Sequence, residues 1–582
     1  MINTLLSSTL FLILLFTNPA EPWKSKIDPI LLEQGNSSTP QDFIILLEAQ
    51  ADLSPSKFIA QKEDKTRFVY QRLRQTAEKS QTNLLRLLKN EGRSTEALFI
   101  INVIRTQGDY SLLEKLAKRS DVKYIYSNPE VKLSFPEESS NLLSLRNSGP
   151  EWGLEQIGAP EVWEMGYRGA GIVVGGQDTG YDWQHPAIRQ QYRGNQGGSV
   201  NHNYHWYDAI HQISPLRLDS INNCGLDLLE PCDDSNHGTH TMGTMVGDDG
   251  NGNQIGVAPE AQWVGVRNME EGYGNPFSYT AGFQWFLAPT DLQGEFPNPD
   301  LAPDVIANSW YCPELEGCNA SNRDMLEMAA NNLRAAGVMV VVSAGNSGSD
   351  CYTINEMPSV FPSTFAIGAS DIRDSIAAFS SRGPIYSLDS SQILIKPDIS
   401  APGVNVRSAI RFGQYKSYSG TSMAGPHVVG AVALILSANP ALRGQIDTLE
   451  SILRRTARPI FSSQDCGPFP GQQSPNVVYG YGILNVKAAV EEALRMKSTS
   501  TRNIQVQQLQ VFPNPASTVL NFRGLALDQS KTLHIYNQLG QVVLHKKQEA
   551  NWLDISSLKT GTYWIQVTEG LIIYSAKIVV LR

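Results

Sequence analysis

Between Trp152 and about Leu494, short apolar runs of strand character alternate with helical runs, and this alternation constrains the fold more than any other feature. Gly171–Gly175 and Val338–Ser343 are β-rich, whereas Ala424–Leu436 is helical. Strands interleaved with helices imply a parallel sheet with helices on both faces. The fold class expected for this block is therefore α/β.

The chain has 582 residues, and one hydrophobic core rarely serves more than about 250–300, so several domains are expected. Phe43–Leu47 reads as a strand, Phe58–Leu88 as a long helix, Leu98–Ile104 as a strand, Ser111–Lys118 as a helix and Val122–Tyr126 as a strand. A last short strand is expected at Val131–Leu133. That order resembles a small α+β, ferredoxin-like β-α-β-β-α-β module over residues 41–135. Glu137–Asn147, rich in Ser, Glu and Asn, reads as an exposed, cleavable linker before a block spanning residues 150–495. Lys497–Asn503 reads as a second linker. Residues 503–582 then carry short alternating runs separated by turn signals, the pattern of a small all-β sandwich.

Residues 1–20 read as a signal peptide, because Leu10–Phe16 is apolar but shorter than the ~20 residues a spanning helix needs. No later stretch reads as a membrane span. The net charge of −10 argues against nucleic acid and anionic membrane surfaces as main partners. Six cysteines in an exported chain point to disulfides. Cys224–Cys232, Cys312–Cys318 and Cys351–Cys466 are one pairing among the 15 that six cysteines allow.

Three motifs carry chemistry, in the order Asp, His, Ser. Val173-Val174-Gly175-Gly176-Gln177-Asp178-Thr179-Gly180 ends an apolar strand on a carboxylate, where active sites of open α/β sheets collect. Asn236-His237-Gly238-Thr239-His240-Thr241 places His237 at the opening of a helix-like stretch. Ser419-Gly420-Thr421-Ser422-Met423-Ala424-Gly425-Pro426-His427 puts Ser422 at another helix start, with Pro426 expected near its first turn. A serine hydroxyl needs a neighbouring base, a histidine can accept and return the proton, and a buried carboxylate orients that histidine. The oxyanion needs donors: the Ser422 backbone N–H and the Asn346 side chain, which follows the apolar run of Val338–Ser343, are the candidates. Singly, each residue has a bland reading, with Ser422 as a helix N-cap, Asn346 as a turn residue and His237 with His240 as metal ligands.

Together these motifs resemble the subtilisin-like serine proteases, over roughly Trp152–Leu494. Trp152-Gly153-Leu154, Gly158–Trp163 and His202–Asp208 look most like the bacillopeptidase F branch. The resemblance implies a serine endopeptidase that needs no cofactor and takes polypeptide substrates. It implies Asp178, His237 and Ser422 as catalytic residues and Asn346 and Ser422 as the oxyanion hole. Ser309, Trp310, Ser343, Ala344 and Gly345 would then line the substrate pocket. Trp310 and Tyr311 stand where relatives carry smaller residues, which changes the expected pocket size. Asp233-Asp234 and Asp248-Asp249-Gly250-Asn251 read first as solvated acidic loops and second as structural calcium ligands. The N-terminal module resembles the family's propeptide, implying an intramolecular inhibitor. Val511–Ala516, Ile535–Val543, Asp554–Leu558, Gly561–Tyr563 and Lys577–Val580 resemble type IX secretion sorting domains, implying the secretion machinery as partner and a cell-surface or secreted location via periplasm and outer membrane. A retained carbohydrate-binding sandwich using Trp552, Tyr563 and Trp564 is the alternative.

Overall fold

The computed structural model describes residues 21–33, 40–132, 137–138, 149–217, 221–312, 318, 320–386, 393–500, 505–523, 532–538, 541–547, 551–569 and 572–582. The expected signal peptide and most of the first linker lie outside them. The chain divides into two compact units, Met1–Ala493 and Leu494–Arg582.

The N-terminal module runs β1 (Gln41–Leu47), α1 (Lys62–Asn90), β2 (Thr95–Leu98), β3 (Val103–Gly108), α2 (Tyr110–Ala117) and β4 (Val122–Ser127). Its antiparallel sheet has the order β2-β3-β1-β4, the ferredoxin-like arrangement. The strand expected at Leu98–Ile104 is instead two strands joined by a reversal at Phe99–Asn102. Asn102 takes the left-handed conformation at φ 55°, which Asn tolerates well. The core of the module also takes in Ile27 and Leu31, upstream of the expected boundary.

Beyond β4, two short segments leave the module and join the next block. β5 (Val131–Lys132) pairs antiparallel with Tyr273–Gly274, and β6 (Glu137–Glu138) pairs antiparallel with Tyr418–Ser419. The start of the expected linker is thus strand, because a free sheet edge on the neighbouring block offers it backbone partners.

The central block is built on seven parallel strands: β7 (Val173–Asp178), β8 (Trp206–Asp208), β9 (Gln262–Arg267), β11 (Val305–Asn308), β12 (Met339–Ser343), β13 (Phe365–Ser370) and β14 (Ile399–Pro402). β10 is the short Tyr273–Gly274 segment outside this sheet. The order is β14-β13-β12-β11-β7-β9-β8, and every pairing is parallel. Helices α3 (His237–Val246), α4 (Pro276–Leu287), α5 (Ala320–Ala335) and α6 (Thr421–Ala438) flank it, with the hairpin β15 (Val406–Ile410) and β16 (Gln414–Ser419) leading into α6. By length and apolarity α6 could cross a membrane, contrary to the sequence reading. Of its residues 94% are buried, so it is a core helix, apolar on all sides because it is packed on all sides. Pro426 lies within α6, beyond the first turn where it was expected.

Beyond Ser500 the described residues of the C-terminal unit form only β-strands and their connections. Val519–Arg523 pairs with Gln510–Phe512 and Trp552–Asp554, and Thr532–Tyr536, Val542–Lys547, Gly561–Glu569 and Ile572–Val580 form antiparallel ladders in a second sheet. Alternate residues such as Leu533, Ile535, Ile565 and Val567 make its core, as a period of two requires. The second linker is shorter than expected, since a helix spans Val486–Ser500.

Candidate active site

Asp178, Asn308 and Ser343 are the last residues of β7, β11 and β12, three neighbours in the sheet, so parallel order delivers all three to one edge. His237 is the first residue of α3 and Ser422 the second of α6, and these two helices pack on each other. The structure thus brings the sequence-predicted residues to one end of the sheet.

His237 Nδ1 and Asp178 Oδ1 lie 2.7 Å apart, with only 1% and 2% of the two residues exposed. Oδ1 also accepts the Thr179 N–H at 2.8 Å. A carboxylate that takes the Nδ1–H leaves Nε2 as the basic nitrogen of a neutral ring. Gly238 permits this approach, because a Cβ there would lie 2.0 Å from Gly180 O and 3.2 Å from Asp178 Cβ.

Ser422 Oγ donates to Ser309 O at 3.3 Å, and Ser309 Oγ donates to Ser422 O at 3.2 Å. The second bond answers a defect in the helix. Pro426 has no N–H, so the Ser422 carbonyl four residues earlier lacks its helical donor, and Ser309 supplies one. Asn346 follows β12 after Gly345, which adopts φ +105°. Its Oδ1 accepts both the Thr421 N–H and the Thr421 hydroxyl at 2.9 Å. A backbone N–H can only donate, so this contact fixes which end of the amide faces Thr421 and leaves the NH₂ as the free end. Thr421 Oγ1 in turn accepts the Gly345 N–H at 3.3 Å, tying the β12 turn to the start of α6.

Residues 169–482, more than half of the sequence, match the Subtilase family. The chain belongs to the subtilase family. Residues 510–581 match a secretion-system C-terminal sorting domain, which indicates export to the cell surface or the extracellular space. Among the relatives of this subtilase, bacillopeptidase F of Bacillus subtilis is 36% identical over 438 residues, covering 72% of this chain and 28% of the relative. Subtilisin E of the same organism is 29% identical over 374 residues, 64% and 78% of the two chains. Subtilisin of Bacillus pumilus is 30% identical over 344 residues, 58% and 98%. The chain therefore spans under a third of bacillopeptidase F and most of the shorter subtilisins.

Two expectations about this subtilase need correction. Trp310 was expected to line the substrate pocket and change its size, but its indole stacks on Tyr279 at 4.1 Å and 19° and is 1% exposed. The apolar cluster around it includes Phe277 and, from β5, Val131. A bulky side chain with a partner on α4 gains more from that burial than from lining a polar slot. Asp233 and Asp234 are not solvated, each being 3% exposed. Asp234 accepts from Arg267 at 3.2 Å and from the Glu271 N–H at 2.8 Å. Asp233 accepts Thr179 Oγ1, Ser235 N and Asn236 N on one oxygen and Thr239 N and Oγ1 on the other, at 2.6–3.0 Å. That donor set fills the carboxylate and suits a helix cap rather than a cation. Asp248 and Asp249 accept from backbone N–H groups of their own turn. Among the described residues no group of three or more His, Cys, Asp and Glu is placed to hold a metal ion.

Sequence reasoning missed the cap role of Asp233. The run Asp233-Asp234-Ser235-Asn236 before His237 is made of capping residue types, a start signal that could have found it. Burial holds two further histidines neutral: His240, also beside His237, is pushed down to about 3, and His427 to about 4. Disulfides join Cys224 to Cys232, Cys312 to Cys318 and Cys351 to Cys466, with Cα separations of 5.9, 5.5 and 5.5 Å.

Proposed function

We propose that this subtilase is a secreted serine endopeptidase, made as a precursor that its own N-terminal module inhibits. Ser422 is the nucleophile and His237 the general base. Asp178 orients His237, and the Ser422 N–H with Asn346 Nδ2 receives the oxyanion. His237 removes the Ser422 proton as Oγ attacks the carbonyl carbon, then gives it to the leaving amine. Water repeats the sequence to release the acyl group. No cofactor takes part. The single observation that carries this reading is the buried 2.7 Å contact of His237 Nδ1 with Asp178 Oδ1, in a site where α6 begins one residue before Ser422.

The endopeptidase assignment is supported by how the tail of the N-terminal module runs. It pairs with Tyr273–Gly274 through Val131–Lys132, and with Tyr418–Ser419 through Glu137–Glu138. A cleft that pairs an extended chain at both ends lets a polypeptide pass through, as internal cleavage requires. The same pairing supports inhibition by occupancy. In this reading self-cleavage follows the module, near residues 136–150.

A fluorophosphonate probe should label wild type and not Ser422→Ala. Casein digests should contain internal cuts, and end-trimming alone would overturn the endopeptidase assignment. His237→Ala should accumulate unprocessed precursor.

A further inference from the structure

We infer that Glu356 selects a basic side chain, lysine or arginine, at the substrate residue immediately before the scissile bond. The inference rests on the peptidase reading above and deepens it. The slot beside Ser422 has two walls, the ends of β11 and β12, each one strand from the other in the sheet. Trp310 does not fill it, since its indole is turned into the core against Tyr279. The turn containing Glu356 closes a third side. It is pinned to the first wall by Cys312 N–H donating to Met357 O at 3.0 Å, and Ser359 Oγ holds the Glu356 carbonyl at 2.6 Å.

The carboxylate reaches the second wall. A Cβ built on Gly345 would lie 3.9 Å from Glu356 Oε2, and Gly345 immediately precedes Asn346, whose amide is fixed against Thr421. An acidic oxygen therefore stands one residue from the proposed oxyanion donor. Glu356 is half-buried. A charge there acts through a lower effective dielectric than one on the open surface, and an ammonium or guanidinium in the slot gains a charge-assisted hydrogen bond. A large apolar side chain gains no such bond there, which is how a site with a polar group favours the matching substrate. Self-cleavage within one chain runs at high effective concentration and does not need the favoured side chain, so the preference governs substrates met in solution.

The test uses the secreted, self-processed enzyme and five fluorogenic peptides that differ only at the residue before the scissile amide: Arg, Lys, Leu, Phe or Glu. Wild type should show kcat/KM at least about ten-fold higher for Arg and Lys than for Leu and Phe. Glu356→Gln should lose about 10–100-fold on Arg and Lys while Leu and Phe stay within about three-fold. Glu356→Lys should raise the Glu peptide above Arg. Fluorophosphonate labelling of Ser422 in both variants, at whatever rate, confirms that the site is folded. A wild type that prefers Leu or Phe, or a Gln variant that loses all peptides equally, overturns the inference and leaves the peptidase standing. Absence of cleavage of all five, together with absence of label at Ser422, sinks the peptidase reading itself.

Discussion

The side-chain oxygen of Asn346 lies 2.9 Å from the backbone nitrogen of Thr421, one residue before Ser422. That contact converts a flexible amide into an aimed one, since its oxygen is held and its NH₂ is free to meet developing negative charge. If the donor serves the oxyanion, as proposed, and not the ground-state carbonyl, Asn346→Ala should lower kcat by about 10²–10³ with KM changed less than three-fold. Steady-state kinetics on one good peptide substrate decide it. A rise in KM at constant kcat would place Asn346 in substrate binding instead.

Asp233 positions rather than reacts. It caps α3 through Ser235, Asn236 and Thr239 and reaches Thr179, the neighbour of Asp178, so one carboxylate ties the helix that begins at His237 to the strand that ends at Asp178. Asp233→Ala would leave several buried donors unpaired, at roughly 1–3 kcal/mol each before relaxation. We expect melting of the Ser422→Ala precursor to fall by at least ~5 °C when the second change is added, given stability costs of that size. In the active background kcat should drop about ten-fold or more with little change in KM, because a small misplacement of the base costs rate and not binding. Unchanged kcat in a folded variant would remove Asp233 from the machinery.

These two residues also show what a sequence can and cannot disclose. Asp178, His237 and Ser422 are legible because each sits in a short motif whose chemistry is local, and the strand–helix alternation around them dictates a parallel sheet. The placement of Trp310 is not legible. Its preference for the core depends on Tyr279, about thirty positions upstream on another element. Likewise Glu137–Glu138 reads as linker by composition, and only the free edge of β16 makes it strand. The reversal at Phe99–Asn102 hides inside an apolar run. Those apolar residues serve the interface, where Gln284 Oε1 accepts the Phe99 N–H at 2.6 Å, rather than a strand.

Stability should fall on the acid side of neutrality. His240 and His427 are held neutral by burial, at about 3 and about 4, with His240 also facing His237. Both values lie below the ~6.5 of an unfolded histidine, so the unfolded chain binds the extra protons. Their stabilising effect is complete above pH ~6.5 and erodes as pH drops toward the folded values. With His205, which burial also pushes down to about 4, three such groups give a slope of about 4 kcal/mol per pH unit once the unfolded imidazoles are protonated, near pH 5. Denaturant midpoints of Ser422→Ala should drop steeply between pH 6 and pH 5, and His427→Gln should lower that slope by about a third. A flat profile across this interval would contradict the burial argument.

Release of the N-terminal module should depend on Lys62 far more than on Arg67. Lys62 is buried, donates to Ala302 O at 2.6 Å and sits 3.3 Å from Asp304. Arg67 pairs with Asp300 at 2.6 Å, but both side chains are more than 40% exposed, where such pairs contribute little. Losing one partner of a buried pair costs most when the other is left alone. Here Arg443 stays on Asp304 at 2.8 Å, so the carboxylate keeps a counter-charge and the cost falls at the low end of the buried range. Lys62→Ala in the full chain should shorten the lag between self-cleavage and appearance of activity by about ten- to thirty-fold, the kinetic image of a weaker complex. Arg67→Ala should change it by no more than about three-fold. Progress curves of substrate hydrolysis, with cleavage followed in parallel on gels, separate release from processing. Equal lags for the two variants would mean that the α1 contact does not govern activation.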